Sequence, residues 1–193
     1  AAASLSRGDK HFDGRPLASL VASVWDTVYH GYQAGMDTKE LRAVGKTLLQ
    51  AAASAMLRPG GGAWGETMSM YVLTALRNRA DAVPAIFLAL VRDAVTADPT
   101  VLQVGNIGYI STFAVQLAQA ELDDRRGKSG KRTFTTAATE TLLVAAERAP
   151  AVAARMTLRQ ALTTTWALSR FQSLQSWQRG APLDETMQRQ GRR

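Results

Sequence analysis

No stretch of this chain alternates apolar and polar residues over more than a few positions, so it offers nothing from which to build a β-sheet. Its apolar residues recur instead at three- and four-residue spacing, the repeat of a helix that buries one face. Leu17, Leu20, Val21, Val24, Trp25 and Val28 form one such stripe, predicting a first helix from Pro16 to about Tyr32 that Gly35 ends. Asp37 then has the form of an N-cap, with Glu40 three residues on as in a capping box, and a second helix follows to about Leu57.

The run Arg58-Pro59-Gly60-Gly61-Gly62 is the clearest break, and reads as a flexible turn rather than a domain linker. A third helix is expected from about Glu66 to Arg79. Asp81 caps a fourth that tolerates Pro84 in its first turn and ends before Pro99. The fifth runs from about Asn106 to Asp124, the sixth over residues 134–149 with Pro150 as its stop, and the last over roughly 152–179. The fold expected is therefore all-α. It is a helix bundle with a four-helix-bundle core and additional short helices over residues 16–179, an irregular N-terminal arm at 1–15 and a polar, basic tail at 180–193.

At 193 residues there is room for one domain with a real core. Much of the apolar content is alanine, which favours close helix packing over thick apolar layers. The absence of cysteine excludes disulfides, a thiolate zinc site and thiol chemistry. The opening Ala1-Ala2-Ala3-Ser4-Leu5-Ser6-Arg7 lacks the apolar core of a signal peptide, and no apolar run approaches ~18 residues, so a soluble protein with no membrane partner is expected.

Charge is distributed unevenly. Residues 125–193 carry 13 Lys and Arg against 4 acids, whereas residues 61–124 carry 3 against 7. The basic part opens with Arg125-Arg126-Gly127-Lys128-Ser129-Gly130-Lys131-Arg132, where the glycines disfavour a helix and leave a flexible cationic loop. A polyanion is its natural partner.

No catalytic constellation competes with that reading. Gly127-Lys128-Ser129 resembles the end of a phosphate-binding P-loop, but position 122 is Leu where the motif needs glycine, and a helix precedes it where the motif needs a strand. Gly105-Asn106-Ile107-Gly108 matches the short glycine loop of KH domains without the KH sheet, and reads as the turn before the fifth helix. His11 and His30 lack the further ligands a metal site requires. No metal, no cofactor and no enzymatic activity are expected.

The last helix is the most telling. Placing Arg155 at 0° and advancing about 100° per residue, Arg159, Trp166, Arg170 and Trp177 fall between about 20° and 60°, with Leu162 beside them. Met156, Phe171 and Leu174 fall between about 100° and 160°. Such a helix has two faces to bury. The cationic, aromatic one suits cation–π packing inside the bundle, a subunit interface, or stacking and phosphate contacts to a single strand. Glu121, Asp123 and Asp124 end the fifth helix beside Arg125 and Arg126. They read either as a solvated helix end or as acids that repel those of a neighbouring subunit.

In its pattern the chain resembles the coat proteins of rod-shaped plant RNA viruses, nearest the benyvirus group and more distantly the tobamovirus type. The resemblance rests on Trp64-Gly65-Glu66-Thr67-Met68-Ser69-Met70-Tyr71-Val72, on Thr157 to Trp177 with Arg170-Phe171 inside it, and on the loop from Arg125 to Arg132. It spans most of the chain without one diagnostic motif. It implies a helix-bundle subunit stacked in a helical rod, with viral single-stranded RNA held by arginines and carboxylates facing between subunits.

The function expected is structural: a capsid protein that assembles helically on single-stranded RNA, resident in the virion and in the host cytoplasm during assembly. Phosphate contacts without base readout fall to Arg125, Arg126, Lys128, Lys131, Arg132, Arg155, Arg159 and Arg170. Subunit contacts fall to Trp166, Trp177, Glu121, Asp123 and Asp124. Two other classes remain open: a bacterial or phage helical nucleic-acid-binding regulator, and a secreted helical adaptor or effector.

Overall fold

A computed structural model describes residues 14–58, 62–77, 83–125 and 133–178, with side chains described for 16–58, 69–76, 83–120 and 136–173. Among these residues every regular element is a helix, and there are no strands. The helices are α1 (Gly14–Gln33), α2 (Lys39–Met56), α3 (Gly62–Arg77), α4 (Val83–Ala97), α5 (Ile107–Arg125), α6 (Thr133–Ala153) and α7 (Leu158–Gln178). A 3-10 turn at Pro99–Val101 separates α4 from α5.

Helix α5 is the centre of the bundle. It packs chiefly against α6 and α7 and also meets α3 and α4, while α1 packs on α2 and α3, and α4 on α6. Packed between these helices, α5 buries Ile107, Ile110, Ser111, Phe113, Ala114, Val115 and Ala118, which cover more than half of its circumference. The core continues through Phe87 and Leu88 of α4, Leu142 and Ala145 of α6, Leu49 and Met56 of α2, and Leu17 and Val21 of α1. Phe87 meets Phe113 edge to face at 6.2 Å.

The α1 stripe lies as expected, with Leu17, Val21, Trp25 and Val28 buried, while Leu20 at its margin is exposed. Trp25 lies over Gly45 of α2, so close that a Cβ there would come within 2.8 Å of the indole Cε2. The helix ends in a Schellman motif. Gly35 takes a left-handed φ of 73°, its N–H donates to the Tyr32 carbonyl, and the Met36 N–H donates to the Gly31 carbonyl. Asp37 accepts the Lys39 N–H at 2.9 Å, although Thr38 is the residue flanking α2.

Three boundaries differ from the sequence expectation. α3 starts at Gly62, inside the run read as a turn, rather than at Glu66, because Ala63 and Trp64 continue the helix that the three glycines only delay. Pro150 does not stop α6, which continues to Ala153. The carbonyl that loses its donor belongs to Ala146 on the exposed side, where water can replace the bond, and fully buried Val152 ties the final turn to the core. Residues 152–179 are not one helix either. The chain turns at 154–157, and α7 starts afresh with a reciprocal capping box: Thr157 N–H donates to Gln160 Oε1 at 2.9 Å, and Gln160 N–H to Thr157 Oγ1 at 3.3 Å.

The segment before α5 is held by Asn106, which is buried. Its amide donates to the Met56 and Val101 carbonyls at 3.0 Å each, and its Oδ1 accepts the Gln103 N–H at 2.8 Å. This turn joins the end of α2, the 3-10 turn and the start of α5.

Candidate nucleic-acid interface

Of the cations read as phosphate contacts, Arg126, Lys128, Lys131 and Arg132 lie outside the described residues. Arg125 is the last residue of α5, and Glu121, Asp123 and Asp124 lie among its last five residues. Trp177 sits in the final turn of α7. Nothing in the described side chains bears on these five.

The α7 face is where the structure speaks. Its buried residues are Thr164, Ala167 and Phe171, which face α5 and α6. The opposite face carries Leu158, Leu162 and Trp166, which are 77%, 62% and 51% exposed. Arg159 and Arg170 are exposed at its margin. The aromatic and cationic stripe is thus turned outward, and internal cation–π packing of Trp166 is excluded by that exposure. Where α7 crosses α5 the approach is close: a Cβ on Gly108 would lie 3.0 Å from Thr164 Oγ1, so that point of the crossing admits only a small residue.

Arg155 belongs to the turn before α7 rather than to the helix, so its place in a continuous helical stripe does not hold, though it is exposed. Arg170 Nη2 donates to Gln119 Oε1 of α5 at 3.2 Å, which fixes its guanidinium against the bundle. Among the described residues neither Arg155 nor Arg159 forms an ion pair. Other cations serve the fold. Arg92 pairs with Asp93 at 2.7 Å and reaches Glu140 of α6 at 3.5 Å, and Arg148 Nε donates to the Leu102 carbonyl at 3.2 Å.

A second basic surface lies at the α1–α2 corner and is absent from the sequence reading. Tyr32, Met36, Asp37, Thr38, Lys39, Arg42, Ala43 and Lys46 line an open groove of about 520 Å³. The Arg42 guanidinium sits 5.4 Å from the Tyr32 ring centroid. The available signal was the spacing of Lys39, Arg42 and Lys46, which puts all three on one helix face.

No three His, Asp or Glu side chains among the described residues come together as a metal site, and no helix among them is long and apolar enough to cross a membrane. Among the described residues the one carboxyl with a clear shift is Asp98, held below the usual carboxylate range first by the Thr100 hydroxyl and then by the Thr100 N–H. That is a cap on the 3-10 turn. No family model, no curated protein and no solved structure matches the chain.

Proposed function

We propose that this chain is a self-associating coat subunit that encloses single-stranded RNA in a helical particle. The observation that carries the reading is the outward face of α7, where Leu158, Leu162 and Trp166 line up with Arg159 at their edge. An apolar row of this length beside cations suits a surface that is covered by another subunit and lies near a polyanion. The net charge of +7, concentrated after residue 124, supports a nucleic-acid partner, and the loop from Arg125 to Arg132 supplies its densest cationic run. The resemblance to coats of rod-shaped plant viruses agrees with both.

The test is assembly. The full chain mixed with single-stranded RNA is expected to sediment as long particles with nucleic-acid absorbance, visible as rods in negative stain. Leu162→Glu and Trp166→Glu place a charge on the apolar row without touching the core, so both variants are expected to keep their helicity and lose the long particles. A small dimer that prefers one duplex sequence would overturn the reading in favour of a regulator. A monomer free of nucleic acid would overturn it in favour of an adaptor.

A further inference from the structure

We infer that the groove at the α1–α2 corner is a nucleotide-binding site for single-stranded RNA, in which Tyr32 stacks a base while Lys39, Arg42 and Lys46 hold phosphates. The inference rests on the reading of the chain as an RNA-packaging subunit, and assigns to it a contact separate from the loop at 125–132.

Three features make the groove more than a solvated helix face. The first is register. Advancing about 100° per residue along α2, the three cations fall within a sector of about 60°, and Lys39 and Lys46 stand about 10 Å apart along the axis. Glu40 lies about 100° away from Lys39, and the Asp37 carboxylate on the groove wall is already engaged by the Lys39 backbone N–H. Among the described residues none of the three cations is ion-paired, and the groove carries three cations against the one Asp37 carboxylate, a net positive charge.

The second is the aromatic surface. Tyr32 is 64% exposed and Met36 66% exposed, an apolar floor beneath the cations. Arg42 lies over the Tyr32 ring, most of whose surface is nevertheless exposed and can receive a base, and stacking of this kind tolerates any sequence. The third is preorganisation. The Schellman hydrogen bonds and left-handed Gly35 set the corner, and buried Thr38 is wedged against Gly31, where a Cβ would come within 2.9 Å of the Thr38 methyl. The groove is therefore held open before any ligand arrives, which lowers the ordering cost of binding.

The experiment measures binding of the full chain at nanomolar concentration to a fluorescein-labelled eight-nucleotide RNA of mixed sequence and to an abasic strand of equal length, over a salt series. Tyr32→Leu is expected to weaken RNA binding about 5- to 100-fold, to leave the salt slope unchanged, and to leave the abasic strand unaffected. Lys39→Ala with Arg42→Ala and Lys46→Ala is expected to reduce the slope of log K against log salt by roughly 2, at about 0.7 per lost phosphate contact. All four positions are exposed, so equal thermal midpoints are expected and are to be measured. Equal affinity for RNA and the abasic strand, with Tyr32→Leu silent, would overturn the inference and leave a plain cationic patch. Wild-type binding in the groove variants, with binding lost on replacing Lys128, Lys131 and Arg132 by Ala, would overturn it while leaving the packaging reading intact. A wild-type chain that binds no RNA at low salt would overturn both.

Discussion

Replacing Asn106 by Ala should cost the bundle a large part of its stability, although the residue is neither apolar nor large. Its side chain makes three hydrogen bonds, and they join segments far apart in sequence, Met56 on one side with Val101 and Gln103 on the other. The bond to the Met56 carbonyl is buried, so alanine leaves that acceptor without water, worth about 1–3 kcal/mol. The other two are partly buried, and each contributes about 0.5–1.5 kcal/mol. The sum, about 2–6 kcal/mol, compares with about 5–15 kcal/mol for a typical domain. Urea unfolding followed by helical circular dichroism measures it as a fall in midpoint at unchanged slope. Asn106→Asp is the sharper variant. It preserves shape and the acceptor to Gln103, but turns a carboxylate towards two carbonyls, so its loss at neutral pH should match or exceed that of alanine and shrink in acid. A change below about 0.5 kcal/mol in both variants would refute the assignment of Asn106 as the joint between α2 and α5.

Gly45→Ala should destabilise despite the better helix propensity of alanine. The gain of about 1 kcal/mol is set against about 1–3 kcal/mol for forcing a methyl into the Trp25 ring, and a variant more stable than wild type in thermal unfolding would show that the ring yields freely. For Asp98, whose folded pKa is lowered, the contribution to stability is present above the ordinary carboxylate value and is lost as pH falls through the lowered one. Thr100→Val removes the hydroxyl that is the largest cause, so the Asp98 carboxyl followed by NMR should titrate at higher pH in that variant than in wild type.

The helices were legible because their stripes are strong. The α1 stripe predicts its own burial almost residue by residue, and Gly35 acts as the C-terminal signal it resembles. The errors have local causes. Pro150 reads as a stop only if the carbonyl it frees lies in the interior, and the sequence does not say that Ala146 faces water. The start of α7 was marked by Thr157 and Gln160, but the alanine-rich segment before it continues the helical pattern and masks that signal. The two faces of α7 were visible, whereas the choice of the inner one was not. Both carry large apolar residues, and the decision falls to the small residues Gly108, Thr164 and Ala167 at the crossing. The groove escaped notice because Lys39, Arg42 and Lys46 sit in a region whose total charge is nearly balanced, and because Tyr32 joins them only through the turn at Gly35.

The small residues at that crossing have a mechanical consequence. Along its described side chains α7 buries one large residue, Phe171, with small Thr164 and Ala167 and partly buried Leu168 beside it, a modest apolar contact for that stretch. Elements with little buried apolar surface open first and at the lowest free energy, and a neighbour that covers only the docked form raises that free energy. In a rod whose subunits cover the Leu158, Leu162 and Trp166 row of the next, every interior copy has α7 clamped from both sides. The copy at the terminus has one side bare. On the coat-subunit reading, fraying would then begin at the ends and proceed subunit by subunit, each departure exposing the next loosely held helix, so that the interior RNA of a longer particle would stay enclosed for longer.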